Sequence, residues 1–192
     1  MTDNINTIRE RFIKRLSEDQ SNDHFYILTI LHRSKDDSIN DPNRSKQHTV
    51  LTGYVRTVEE YDNMLPELIY ICNATNSRLM IYTNMKSLKE LTHEILGNVV
   101  DCIKTSNYHK APGVVSSSAV KSKTIGSQYI LIDADDEHDR ATLLELLTDP
   151  IVIYTPNGCH FLVEHINIPN FRERFPHIVV QRNSCTVVYS PR

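Results

Sequence analysis

No stretch of this chain approaches the roughly 20 consecutive apolar residues that a membrane-crossing helix needs. Its polar start, Met1-Thr-Asp-Asn, carries no signal-peptide pattern, so a cytoplasmic protein without a membrane partner is expected. Close cysteine pairs are missing too. Cys72, Cys102, Cys159 and Cys185 lie far apart, which argues against a disulfide framework or a zinc ribbon and for reduced packing residues. There is no basic excess: a net charge of −3 gives no electrostatic case for tight non-specific nucleic-acid binding. The basic residues Arg9, Arg11, Lys14 and Arg15, and Lys104, Lys110, Lys121 and Lys123, are therefore read as solvated surface. Also absent are a Gly-x-x-x-x-Gly-Lys phosphate loop, a Gly-x-Ser-x-Gly elbow and a His-Glu-x-x-His helix. What remains is an ordinary globular composition, long enough for one good core or two small lobes sharing a cleft.

The first half reads as helix, hairpin, helix, strand, helix. Ile5, Ile8, Phe12, Ile13 and Leu16 form an apolar stripe over 3–19, and the β-branched and aromatic run 24–33 predicts a strand. A polar connection over 34–47 leads to a second strand over 48–56. Thr57 with Glu60, and Ser87 with Glu90, are capping-box patterns that open helices at Val58 and Leu88, with a strand over 77–83 between them. The Ser- and Lys-rich stretch 105–126 shows no clear period and is expected to be a mobile connection, with a short strand near 113–115. The expected division is an α/β lobe over 1–104, that connection, and a second lobe over 127–192.

The second lobe reads strand (128–133), helix (137–147), strand (151–154), turn, strand (159–166), short helix (170–175), then a strand or hairpin over 177–189 broken near Asn183. This βαββαβ order is the split βαβ arrangement, in which the first and third strands are antiparallel neighbours. Asp133 and Asp135, spaced i, i+2, share one strand face. Such a carboxylate pair suits Mg²⁺ or Mn²⁺; helix capping by the acids at 133–139 explains it as well. Topology brings His160, at the start of the third strand, beside them. In the turn before it, Thr155 and Asn157 offer donors to a phosphate and Gly158 permits close backbone approach; a plain tight hairpin accounts for the same residues. Upstream, Arg78, Tyr82 and Asn84 share a strand face by even spacing, and Lys86 and Ser87 sit where a helix start can meet phosphate.

The strand ending Ile132-Asp133-Ala-Asp135, followed by Pro156-Asn-Gly-Cys-His160, resembles the first two motifs of the archaeo-eukaryotic primase superfamily, the primase-polymerases. Arg78-Leu-Met-Ile-Tyr-Thr-Asn84 with Lys86-Ser87 is similar to the strand and helix start of small, phage-type members. The resemblance implies an α+β, primase-polymerase-like fold, with an RRM-like catalytic lobe facing a smaller α/β lobe. It implies metal-dependent nucleotidyl transfer in DNA replication or repair. Asp133 and Asp135 would carry the metals and His160 would contact the incoming nucleoside triphosphate. Single-stranded DNA or a primer-template, and a replication helicase or other replication protein, would be partners.

The chain departs from the family in one respect. No Asp or Glu follows Glu173, so the carboxylate normally supplied by the last core strand must be replaced by His177, Gln181 or Asn183. A catalytically inactive accessory subunit with the same fold is the second expectation. An unrelated RRM-like module reading single strands through Tyr129 and Phe161 is the third.

Overall fold

The computed structural model describes residues 2–18, 23–33, 47–126 and 128–191. All but the last residue of the connection expected over 34–47 lies outside them. Helix α1 (Thr2–Arg11) passes into a 3-10 helix, Ile13–Glu18, rather than continuing as one α-helix; Ile8, Phe12, Ile13 and Leu16 are buried all the same. Strands β1 (His24–Arg33) and β2 (Gln47–Val55) pair antiparallel. Helix α2 (Val58–Thr75) starts on a Thr57 cap whose hydroxyl accepts from Glu60 N, and the Glu60 carboxylate turns back to Arg56 N. Strands β3 (Arg78–Tyr82) and β4 (Lys86–Ser87) both lie against β1, and helix α3 (Leu88–Lys104) follows.

The stretch 105–126 differs from expectation. It holds a 3-10 helix, Tyr108–Gly113, and helix α4 (Val114–Lys121), and no strand forms at 113–115. The buried residues of α4 are Val114, Ser118 and Ala119, which fall on one helical face but are small or polar. Asn98 of α3 donates to Ser118 Oγ at 2.8 Å, so serine takes a place where a period of apolar residues would otherwise have announced the helix.

Strand β5 (Ile130–Ala134), helix α5 (Glu137–Leu146), strands β6 (Ile151–Tyr154) and β7 (Cys159–Val163), short helix α6 (Phe171–Arg174) and strand β8 (Val179–Arg182) follow in order. They build a second sheet of order β6-β7-β5-β8 with every pair antiparallel. The final strand, β9 (Cys185–Tyr189), leaves this sheet and joins the first one beside β3, giving the order β2-β1-β3-β9. The expected boundary at 127 is therefore crossed by the chain's last strand. The crossing is a tight turn in which Asn183 adopts φ 51°, a left-handed conformation that asparagine tolerates.

The architecture is α+β, with two antiparallel sheets and helices packed on them. One face of β5 and β7 sends Leu131 and Leu162 into the core made by α1, α2, β1 and β3, while the other sends Ile132, Ala134, Phe161 and Val163 under α5 and α6. Asn4 of α1 bonds both ways with the backbone of Tyr154 at 2.6 and 3.0 Å, fastening the first helix to the second sheet. Among the described residues, no helix is long and apolar enough to cross a membrane.

Candidate functional site

A cavity of about 360 Å³ opens where the second sheet meets the β9 edge of the first. The second sheet contributes Leu131, Asp133, Asp135, His160 and Gln181, joined by Thr155 and Asn157 from the turn between β6 and β7. The first sheet contributes Leu31 and Arg33 from β1, Gln47 from β2, Arg78 and Met80 from β3, and Cys185 and Val187 from β9. Ser184 completes the rim at the crossing between the sheets. Acids and the imidazole stand on one wall, two guanidinium groups on the other.

The acid wall follows from strand register. Asp133 is directly opposite His160 in the β5–β7 ladder, and its Oδ1 lies 3.5 Å from His160 Nε2. The other ring nitrogen, Nδ1, is 2.8 Å from the hydroxyl of Thr186, a wholly buried residue of β9. A carboxylate only accepts, so the pairing favours the proton on Nε2, with Thr186 donating to Nδ1. Burial holds the His160 imidazole below its ordinary pKa even though Asp133 and Asp135 pull the other way, so the ring is neutral at pH 7. Capping of α5 does not engage these two acids. Asp136 does that work, its carboxylate accepting from His138 N at 2.8 Å and Asp139 N at 3.2 Å.

Gly158 explains how the turn reaches the acids. A Cβ on it would lie 2.4 Å from the Ala134 carbonyl oxygen, 2.6 Å from Asp135 Cα and 3.0 Å from Asp135 Oδ1. The close approach that glycine permits here is to the end of β5, and the glycine itself is not part of the cavity lining. Thr155 closes the turn: its hydroxyl accepts from Gly158 N at 3.0 Å and its own N–H donates to the Gly158 carbonyl at 2.9 Å.

Of the upstream residues expected at the site, only Arg78 lines this cavity. Tyr82 lines a neighbouring one. Asn84 is buried and clasps structure instead, accepting from Tyr129 N at 2.8 Å and donating to Asn183 Oδ1 at 3.2 Å. Lys86 is also buried, donating to the carbonyls of Ser122 and Val120 at 2.7 and 3.3 Å and to Thr124 Oγ1 at 3.2 Å. It neutralises the C-terminal end of α4, a favourable place for a cation, while burial lowers its pKa. The start of α3 is likewise occupied: the Asp23 carboxylate accepts from Ser87 Oγ at 2.6 Å and from Lys89 N at 2.8 Å, leaving no phosphate site there.

Of the three residues expected to stand in for a further carboxylate, Gln181 alone reaches the cavity. His177 pairs with Asp139, and Asn183 accepts from Asn84 and Thr124. The residue opposite Asp133 on β8 is Val179. Among the described residues, no three His, Cys, Asp or Glu side chains converge as a metal-holding group. Asp133 and Asp135 bring two carboxylates to the cavity and do not make a closed cage; a hard cation held by such a pair would have to complete its shell with water and ligand oxygens. Burial pushes the Cys159 and Cys185 thiols up to about 11, which favours the protonated form of both at pH 7.

Comparison with known proteins adds no relative: no family model, curated protein or solved structure matches this chain.

Arg33 and Gln47 were not singled out by sequence pattern. Arg33 ends the apolar run of β1 as a charge on the same strand face as Leu31, and its antiparallel partner is Gln47, so even spacing along β1 was the available signal. The basic residues of the first helix are mostly engaged: Arg9 with Asp62 and Glu10, Arg11 with Asp149, Lys14 with Glu10, and Arg15 with the Tyr129 hydroxyl. Phe161 is fully buried, while Tyr129 is half-buried and packs on Phe12 with the Arg15 guanidinium over its ring.

Proposed function

We propose that this protein binds a nucleoside triphosphate with Mg²⁺ or Mn²⁺ between its two sheets, as a small, phage-type primase-polymerase-like nucleotidyltransferase of DNA replication or repair. The observation that carries the reading is the division of one cavity into a wall with Asp133, Asp135 and His160 and a wall with Arg33 and Arg78. Carboxylates beside guanidinium groups are what a metal–triphosphate complex requires, since the acids take the cation and the planar guanidinium forks take phosphate oxygens. The order β6-β7-β5-β8, antiparallel throughout, supports an RRM-like catalytic lobe.

In the proposed reaction a primer 3′-hydroxyl attacks the α-phosphate in line, forming a phosphodiester as the bond from the α-phosphorus to the α,β-bridging oxygen breaks, with pyrophosphate leaving and the hydroxyl proton passing to solvent. When bound, the cation supplies charge neutralisation and lowers the pKa of the attacking hydroxyl. Arg33 and Arg78 hold the tail that becomes the leaving group. Neutral His160 donates through Nε2 and is kept in that orientation by Thr186. Asn157 and Thr155 contact phosphate oxygens at the mouth. Single-stranded DNA or a primer-template is the proposed macromolecular substrate, with a replication helicase as the proposed protein partner.

A catalytically inactive accessory protein of the same fold is favoured by one observation, the neutral Val179 and Gln181 where a further carboxylate is expected. The two readings separate in a single set of assays. Calorimetry with Mn²⁺ and nucleoside triphosphates should give saturable binding that Asp133→Asn weakens at least tenfold, and a primed template should be extended. Binding without extension favours the accessory protein. Absence of both, with Asp133→Asn indistinguishable from the parent, removes the nucleotide reading altogether.

A further inference from the structure

A second cavity, of about 370 Å³, lies on the first sheet beside α4. Among the described residues its lining carries no charged side chain: Thr52, Tyr82, Ser116 and Ser117 bring hydroxyls, Val120 brings exposed apolar surface, and the buried Ile27 forms the floor. Three cross-strand pairs straddle the border between the two cavities. Leu31 faces Thr49, Met80 faces Thr29 and Cys185 faces Tyr82, the first of each pair lining the acidic cavity and the second the uncharged one. Paired residues of antiparallel strands point to the same side, so the two cavities abut on one continuous sheet face. From Arg33 to Thr29 along β1 is about 13 Å at roughly 3.3 Å per residue.

We propose that the uncharged cavity holds the base and sugar of the nucleoside triphosphate, with the phosphates directed toward Arg33, Arg78, Asp133 and Asp135. The inference rests on the nucleotide reading above and adds an orientation to it. Hydroxyl groups donate and accept alike, so they match both base edges and sugar hydroxyls. The exposed apolar surface of Val120 takes the flat face of a base. The reverse orientation would place the phosphate charges in a cavity without a counter-charge among the described residues, which desolvation makes costly.

The test is calorimetry in Mn²⁺ with inorganic tripolyphosphate and with the four ribonucleoside triphosphates in turn. Ser117→Phe fills the cavity from an exposed helical position, and Thr52→Val removes a hydroxyl at nearly constant shape. At least one nucleoside triphosphate should bind tenfold or more tighter than tripolyphosphate. Ser117→Phe should erase that advantage and Thr52→Val reduce it severalfold, both leaving tripolyphosphate affinity within twofold. If tripolyphosphate binds as tightly as every nucleotide, or if neither variant alters nucleotide affinity, the base-and-sugar assignment is overturned while the phosphate site stands. Binding of neither ligand to the parent protein overturns both.

Discussion

Two strand ends in this protein carry much the same signals, polar and charged residues just before a helix, and they are put to opposite uses. Between β3 and α3, Asn84 and the β4 residues Lys86 and Ser87 are buried, and each side chain is bonded to another segment of the chain. At the end of β5, Asp136 caps the helix, and Asp133 and Asp135 are left facing a cavity. What separates the two groups is whether the side chain is turned into the packed chain or onto a cavity. Spacing along the sequence does not reveal that.

The contrast can be broken most forcefully at Lys86. Replacing it in Lys86→Met should leave the carbonyls at the end of α4 unsatisfied and cost about 1–3 kcal/mol, read by urea denaturation, with nucleotide affinity unchanged. A loss of affinity without a loss of stability would reverse the assignment. Gly158→Ala should also destabilise by about 1–3 kcal/mol, because backbone at the end of β5 must move to admit the new carbon. Unlike the lysine variant it should weaken Mn²⁺-dependent binding as well, since Asp135 moves with that backbone. Asp136→Ala should lower stability measurably in the same denaturation assay through loss of the helix N-cap, with binding intact, whereas Asp133→Asn should show the converse. If both aspartates behave alike, the division of labour between them is wrong.

The smallest effect concerns pH. His160 has a folded pKa below that of the unfolded chain, near 6.5, so as pH falls below about 6.5 the unfolded state takes up the proton first and the native state loses stability. The loss continues until pH passes below the folded value. In metal-free protein His160→Gln should flatten the stability profile in that window, as measured by thermal unfolding between pH 7 and pH 5.

Much of this arrangement was legible from residues. The capping patterns at Thr57 and Ser87 marked the helix starts, and the side-by-side placement of Asp133 and His160 follows from strand order, because an antiparallel neighbour must return past the point where its partner ended. Less visible was α4, whose packing face uses serine and alanine and therefore shows no hydrophobic period. The departure of β9 was hidden as well, since its alternation of side chains fits an edge strand of either sheet. Arg33 escaped notice because its role depends on a neighbouring sheet that is distant in sequence.

The crossing at Asn183 limits how far the two sheets can move apart. Because β8 belongs to one sheet and β9 to the other, the facing walls of the groove are stitched together by a short turn, which the Thr83 amide and hydroxyl pin further through the Ser184 carbonyl. A clamshell that swings wide at this seam would have to unzip hydrogen-bonded ladder first. A sheet-to-sheet crossing held in this way opposes separation of the two walls, and among the residues lining the groove Asp135 and Asn157 are exposed.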